Sequence, residues 1–189
     1  MIRYAITGNI ASGKSEAERI FSKNGFIVFD TDTITHDILI DKPDVPEAFK
    51  DYDVFEYGRL SRPKLSNLVF NNPELKTKLE NIIHPLIKHE LEEIFKTYAD
   101  EKYIFISVPL LFEAGWENMF DKIILITCDE KIQLERLMKR NNLSKSDALK
   151  RLNAQLPQDI KIPKSDIVIE NNFSIEDLQE KITKFILSL

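Results

Sequence analysis

The sequence predicts a three-layer α/β fold built on a five-stranded parallel sheet. Three observations carry that prediction. Short apolar runs at residues 2–7, 26–29, 102–108, 121–127 and 165–170 read as buried strands. The segments between them repeat apolar residues every three or four positions, the period of helical crossovers, which pack on a parallel sheet. The first strand also runs into Gly8-Asn9-Ile10-Ala11-Ser12-Gly13-Lys14-Ser15, which fits G-x-x-x-x-G-K-[ST], the phosphate-cradling P-loop.

The motif has the context it needs. Ile2 to Thr7 precedes it as a strand, and Glu16-Ala17-Glu18-Arg19-Ile20-Phe21 follows as a helix start. Backbone N–H groups of the loop and the helix N-terminus then converge on one anion site. Lys14 can reach the β- and γ-phosphates of a nucleoside triphosphate, and the Ser15 hydroxyl can ligate Mg²⁺. ATP and Mg²⁺ are therefore the expected small-molecule partners.

Bulk properties narrow the class. The chain has 189 residues, 43% hydrophobic and 30% charged, enough for one compact domain with small insertions. Its net charge of −5 argues against nucleic acid as a partner. With a single cysteine, Cys128, no intrachain disulfide is available, and its apolar neighbours predict a buried thiol. No apolar run approaches membrane-spanning length, and the start leads straight into the first strand, so no secretory leader is expected. A cytoplasmic protein, monomeric or weakly self-associating, is the expectation.

Helix 13–23 should end at Asn24-Gly25, with Gly25 left-handed. The strand at 26–29 stops at Asp30-Thr31-Asp32. Ligands in open α/β sheets sit beyond the carboxyl ends of the strands, so two carboxylates there suit Mg²⁺ handling and base catalysis. Capping of the next helix is the competing role.

Ile34, Ile38 and Leu39 keep helical spacing until 41–46 breaks it. Arg59 to Lys64 is a basic cluster that fits either a phosphorylated substrate or a solvated loop. Ser61 is expected to cap a helix through Asn71, with Leu65, Leu68, Val69 and Phe70 inward. Residues 73–98 carry the clearest helical period, and Pro85 should kink or split that helix. His84, just before it, reads as a structural hydrogen-bonder or a ligand-facing group.

The strand at 102–108 lacks a terminal acid, so the usual Walker B aspartate is missing and Asp30 and Asp32 gain weight. Pro109-Leu110-Leu111-Phe112-Glu113 follows, apolar except for Glu113. After the strand at 121–127, a helix at 131–141 with a basic end and a second helix capped by Ser144 form a basic hairpin. It reads as a phosphate-covering lid or as a solvated face. A strand at 165–170 and a terminal helix with an Ile175, Leu178, Ile182, Phe185, Ile186 stripe complete the chain.

Several strings, in order along nearly the whole chain, resemble the dephospho-CoA kinase family. Ile6 to Ser15 looks like its L-T-G-G-I-G-S-G-K-S, Asp30 to Ile34 like D-A-D-x-I, and Arg62 with Leu65, Val69 and Phe70 like R-x-x-L-x-x-x-V-F. Ile83-His84-Pro85 matches I-x-H-P, and Val108 to Glu113 matches the highly specific V-P-L-L-F-E. Arg136, Leu137, Arg140 and Gln155, then Ser165-Asp166 leading to Asn171, match its lid and final strand.

The resemblance implies transfer of the ATP γ-phosphate to the ribose 3′-hydroxyl of dephospho-CoA. It implies Asp32 as general base, Asp30 organising the site or Mg²⁺, and Lys14 with Gly8, Asn9, Ile10, Ala11, Ser12, Gly13, Ser15 and Glu16 around ATP. Arg136 and Arg140 would close from the lid, Asn171 would lie near the adenine, and Arg62, His84, Leu111 and Glu113 near the acceptor. The implied organisation is one kinase domain: a core of 1–32, 99–135 and 160–189, a helical acceptor-binding insertion at about 33–98, and a lid at about 136–159. This chain departs from the pattern at Asn9 and Ala11, which replace glycines, and at Glu16, which replaces threonine. Asn9 should tolerate a glycine-like φ better than most residues, and Glu16 near phosphate should alter nucleotide affinity without abolishing activity.

Overall fold

The computed structural model describes residues 1–189, the side chain of Asp41 excepted. The chain forms two compact units, one from 1–30 with 100–189 and one from 31–99.

The first unit holds β1 (Ile2–Thr7), α1 (Lys14–Lys23) and β2 (Val28–Asp30) from the amino-terminal part of the chain. α1 closes with Gly25 at φ 86°, Gly25 N–H donating to Ser22 O and Phe26 N–H to Phe21 O. That Schellman closure uses Phe26, so β2 starts two residues later than its apolar run and takes in Asp30.

The second unit begins with α2 (Thr31–Asp41) and α3 (Asp44–Ala48). A hairpin of β3 (Phe55–Glu56) and β4 (Arg59–Leu60) follows. The periodicity gave no sign of it, because two-residue strands are too short to alternate. Its turn has positive φ at both Tyr57 and Gly58, the type I′ geometry that suits strand twist. α4 (Arg62–Phe70) and α5 (Pro73–Thr97) complete the unit. Their apolar faces meet α2 and α3 around Phe49, Val54, Leu65 and Leu75.

Three expectations in this unit fail. Ser61 does not cap α4 with its side chain; its hydroxyl donates to Glu56 Oε2 at 2.8 Å instead. Phe70 is 62% exposed, since it lies five residues and about 140° around the helix from buried Leu65. Pro85 does not split α5, which runs unbroken for 25 residues. Asn72 caps it through bonds from the N–H groups of Glu74 and Leu75, and burial of Leu75, Ile87 and Leu91 outweighs the lost backbone bond.

The chain returns to the first unit at β5 (Tyr103–Ser107), then β6 (Lys122–Thr127), α6 (Glu130–Asn141), α7 (Lys145–Asn153), α8 (Gln158–Lys161), β7 (Ile167–Glu170) and α9 (Ile175–Ile186). The sheet is parallel throughout, in the order β2-β5-β1-β6-β7. Tyr4, Ile6, Phe105, Ile124 and Ile126 meet Ala17, Ile20 and Phe21 of α1 and Leu178 and Ile182 of α9. Phe105 stacks on Phe21 at 4.5 Å and on Tyr4 at 4.9 Å between ring centroids. Asp129 and Ser144 cap α6 and α7, and Ser174 caps α9. Among the described residues, no helix is long and apolar enough to cross a membrane.

At the start of the sheet, Arg3 holds Asp121 with two side-chain bonds, of 2.8 and 3.0 Å, and a backbone N–H bond of 2.8 Å. The guanidinium keeps the Asp121 carboxyl below its usual pKa. A depressed folded pKa contributes stability above the unfolded value of about 3.9, which is lost as pH falls through the folded value. Thermal melts of wild type and Asp121→Asn from neutral pH to about pH 3 should therefore converge on the acid side. Curves that stay parallel would remove Asp121 from the acid response.

Candidate active site

The site in the first unit starts with the loop between β1 and α1. Gly8 lies where a Cβ would meet Ile126 O and Ser12 Oγ, both at 2.6 Å, so only glycine fits. Gly13 has φ 103°, and a Cβ there would stand 2.0 Å from Asn171 Nδ2. The positive φ among the departing residues falls on Ala11, at 63°, and not on Asn9. Asn9 is nonetheless committed: its Nδ2 donates to Leu156 O at 3.0 Å.

Amides elsewhere in the chain hold the outside of the loop. Ile10 N–H donates to Gln155 Oε1 at 2.7 Å, and Gln133 Nε2 donates to Ile10 O at 2.6 Å. Asn171 Nδ2 donates to Ser12 O at 2.8 Å. Gln158 bonds both backbone groups of Cys128, whose thiol is pushed up by burial and is a packing group rather than a nucleophile. A cleft of about 510 Å³ opens beside the loop, lined by Asn9, Gln133, Leu134, Leu149, Leu152 and Gln155.

The inner side of the loop is built for an anion. No side chain caps the N-terminus of α1 at Gly13, so the N–H groups of Lys14 and Ser15 remain as donors, while that of Glu16 turns back to Gly13 O. The Ser12 hydroxyl is buried without a hydrogen-bond partner, a spare donor of the kind a phosphate oxygen accepts. Lys14 Nζ contacts Glu18 Oε1 and Ser107 Oγ. Ser15 is exposed in the first turn of α1, and Asp30 ends β2 in register with Ser107. A hydroxyl and a carboxylate are hard oxygen donors. Among the described residues no group of three or more His, Cys, Asp or Glu could hold a metal. That donor set fits Mg²⁺, which binds through one or two protein oxygens together with substrate phosphates. Glu16 is drawn to the Arg19 guanidinium, which lowers its carboxyl pKa and offsets its charge beside the loop.

Later in this unit, Arg136 Nη1 donates to Asn171 O at 2.9 Å and Nη2 to Phe173 O at 3.3 Å. Arg140, exposed at the basic end of α6, donates to Asn141 Oδ1. Leu111 is wholly buried, and Leu110 is the exposed member of its run. Glu113 Oε1 accepts from Leu156 N–H at 2.9 Å and lies 2.8 Å from the ammonium of Lys161, which is fully buried. The Lys161 approach is close but poorly aligned for a hydrogen bond, so it is mainly Coulombic. Sequence reasoning missed Lys161, because nothing in its neighbours marks it as buried. Glu18 was missed too, although its i,i+4 spacing from Lys14 was a usable signal.

In the second unit, Asp32 is exposed in the first turn of α2. Arg62 Nη1 lies 2.8 Å from His36 Nδ1; arginine only donates, so Nδ1 accepts and the neutral ring carries its proton on Nε2. His84 is partly buried on α5, and burial pushes its imidazole pKa down, so it is neutral at neutral pH.

A phosphate loop between the central strand and its helix, in a parallel sheet, defines a P-loop nucleotide-binding protein. Residues 2–177 match the dephospho-CoA kinase family, and the chain belongs to that family. A dephospho-CoA kinase of Fusobacterium nucleatum is 37% identical over 95% of this chain and 94% of its own. Among solved structures, a protein of Thermus thermophilus superposes with a TM-score of 0.86 at 32% identity, covering 100% of this chain and 97% of that one. The dephospho-CoA kinase from Campylobacter jejuni gives 0.77 at 32% identity, covering 98% and 96%.

Two stability predictions follow from this geometry. Glu113→Gln leaves the buried Lys161 ammonium without a counter-charge and should cost about 3 kcal/mol, lowering the melting temperature by roughly 6–12 °C. A drop of less than about 2 °C in calorimetry would contradict this. Ala11→Gly relieves a left-handed alanine and should stabilise by up to about 1 kcal/mol, measured by urea unfolding; a clear loss of stability would show that Ala11 is not strained.

Proposed function

We infer that the chain transfers the γ-phosphoryl group of ATP to the ribose 3′-hydroxyl of dephospho-CoA, giving coenzyme A and ADP. This is the last step of coenzyme A synthesis. The observation that carries the reading is the family match over residues 2–177, on a chain whose loop offers Lys14, the spare Ser12 hydroxyl and the open end of α1 to phosphates.

Lys14 and the loop from Gly8 to Ser15, with Glu16 behind it, hold the triphosphate. Ser15 and Asp30 hold Mg²⁺, which when bound offsets phosphate charge. The acceptor oxygen forms a bond to the γ-phosphorus, the bond to the β–γ bridging oxygen breaks, and ADP leaves with that electron pair. Asp32 accepts the hydroxyl proton. Arg62, His84 and Glu113 bind the acceptor, with His84 neutral and so able to donate or accept a hydrogen bond; Leu111, wholly buried, supports the site only from within the core. Residues 136–159 form a lid, from which exposed Arg140 approaches the phosphates, and Arg136 does so on release from the backbone carbonyls it holds. Arg136 holds the carbonyls of Asn171 and Phe173, which supports a place for the adenine beside that turn. Asn171 is itself held at three points, its side-chain amide donating to Ser12 O, its N–H to Thr127 O and its carbonyl accepting from Arg136. A cytoplasmic, monomeric or weakly associating protein with no nucleic-acid partner fits the single cysteine and the net charge of −5.

Mixing protein, Mg-ATP and dephospho-CoA should release ADP and CoA together. Activity with nucleoside monophosphates alone would replace this reading with a nucleotide kinase. Asp32→Asn should lower kcat by at least about a hundredfold while ATP still binds; near-normal turnover would remove Asp32 as the base.

A further inference from the structure

The Lys14 ammonium already has two acceptors inside the protein. It donates to Glu18 Oε1 at 2.6 Å and to Ser107 Oγ at 2.5 Å. Ser107 Oγ donates in turn to the same Glu18 oxygen at 2.6 Å. The three groups close a triangle in which the Lys14 and Glu18 side chains are only 13% and 16% exposed. Ser107 is the last residue of β5, and Asp30 of β2 lies beside it in register. Phosphate-loop enzymes place an acid at such a strand end; here the strand offers a hydroxyl, and the carboxylate that reaches it comes from the second turn of α1.

We propose that Glu18 is the positioning carboxylate of the phosphate site, supplying from α1 the charge that β5 lacks and holding Lys14 in place through Ser107. The inference rests on Lys14 being the lysine that meets the triphosphate. Lysine has three N–H donors, and the triangle uses two, leaving one for a phosphate oxygen. A lysine side chain is otherwise long and mobile, and the triangle fixes where its charge stands. The neighbouring carboxylate also offsets part of that charge, so it weakens ground-state phosphate binding while keeping Lys14 aligned for transfer. Substrate binding and turnover should then move in opposite senses when the charge is removed.

Glu18→Gln keeps the shape and removes the charge. Calorimetric titration with inorganic tripolyphosphate in the absence of metal should show binding about fivefold tighter than wild type, with the gap narrowing as salt is added. In steady state the KM for ATP should fall, and kcat should fall about tenfold. Ser107→Asp in the Glu18→Gln background returns a carboxylate to the strand end and should bring both quantities back towards wild type. Thermal melts check the fold; if Glu18→Gln melts early, Ser107→Ala cuts the triangle without altering α1 and should lower kcat several-fold. Unchanged or weaker tripolyphosphate binding overturns the proposal, as does a kcat loss that Ser107→Asp does not recover. The titration needs no acceptor, so it decides the role of Glu18 even if dephospho-CoA proves not to be the substrate.

Discussion

A phosphate loop has to leave its inner N–H groups open, so its outer backbone groups must be satisfied from elsewhere. Here that constraint is met by amide side chains. Gln133 and Gln155 take the two backbone groups of Ile10, Asn171 takes the carbonyl of Ser12, and Asn9 reaches out to Leu156. Buried backbone groups are costly when unpaired, so these four side chains define the loop as firmly as its glycines do. They also tie it to α6, to the segment after α7 and to the turn after β7. The Glu113 contacts with Leu156 and Lys161 fasten that same segment to the turn that follows β5.

Most of the core was legible because its signals are local. Continuous apolar runs marked the sheet strands, and the cap at Ser144 uses a residue type that prefers helix starts. The phosphate loop was legible because steric need fixes it: Gly8 and Gly13 stand where a Cβ would strike neighbouring atoms. What stayed hidden was decided by partners distant in sequence. Ser61 was free to cap α4 until Glu56, placed by the hairpin, took its hydroxyl. Pro85 was a helix breaker until burial along α5 outweighed one missing bond.

The site shows the same division. Lys14, Ser15 and Asp30 were legible as candidates because motif and strand end coincide. Asn9 was expected to bear the unusual backbone angle, yet Ala11 bears it and Asn9 contributes a side-chain bond instead. Glu16, expected to repel phosphate, is neutralised locally by Arg19. Charge next to the loop is therefore managed in pairs, Glu16 with Arg19 and Glu18 with Lys14, so an acidic first turn coexists with an anion site.

The strand order has a consequence for how the chain is made. β1 leaves the ribosome first, yet it lies at the centre of the sheet and pairs only with β5 and β6, about a hundred residues later. At typical elongation rates it waits on the order of 5–20 s for its first neighbour. During that interval its apolar backbone has no strand to pair with, and the loop behind it lacks Gln133, Gln155 and Asn171. The phosphate site is completed late, because its motif precedes in the chain every amide that holds it.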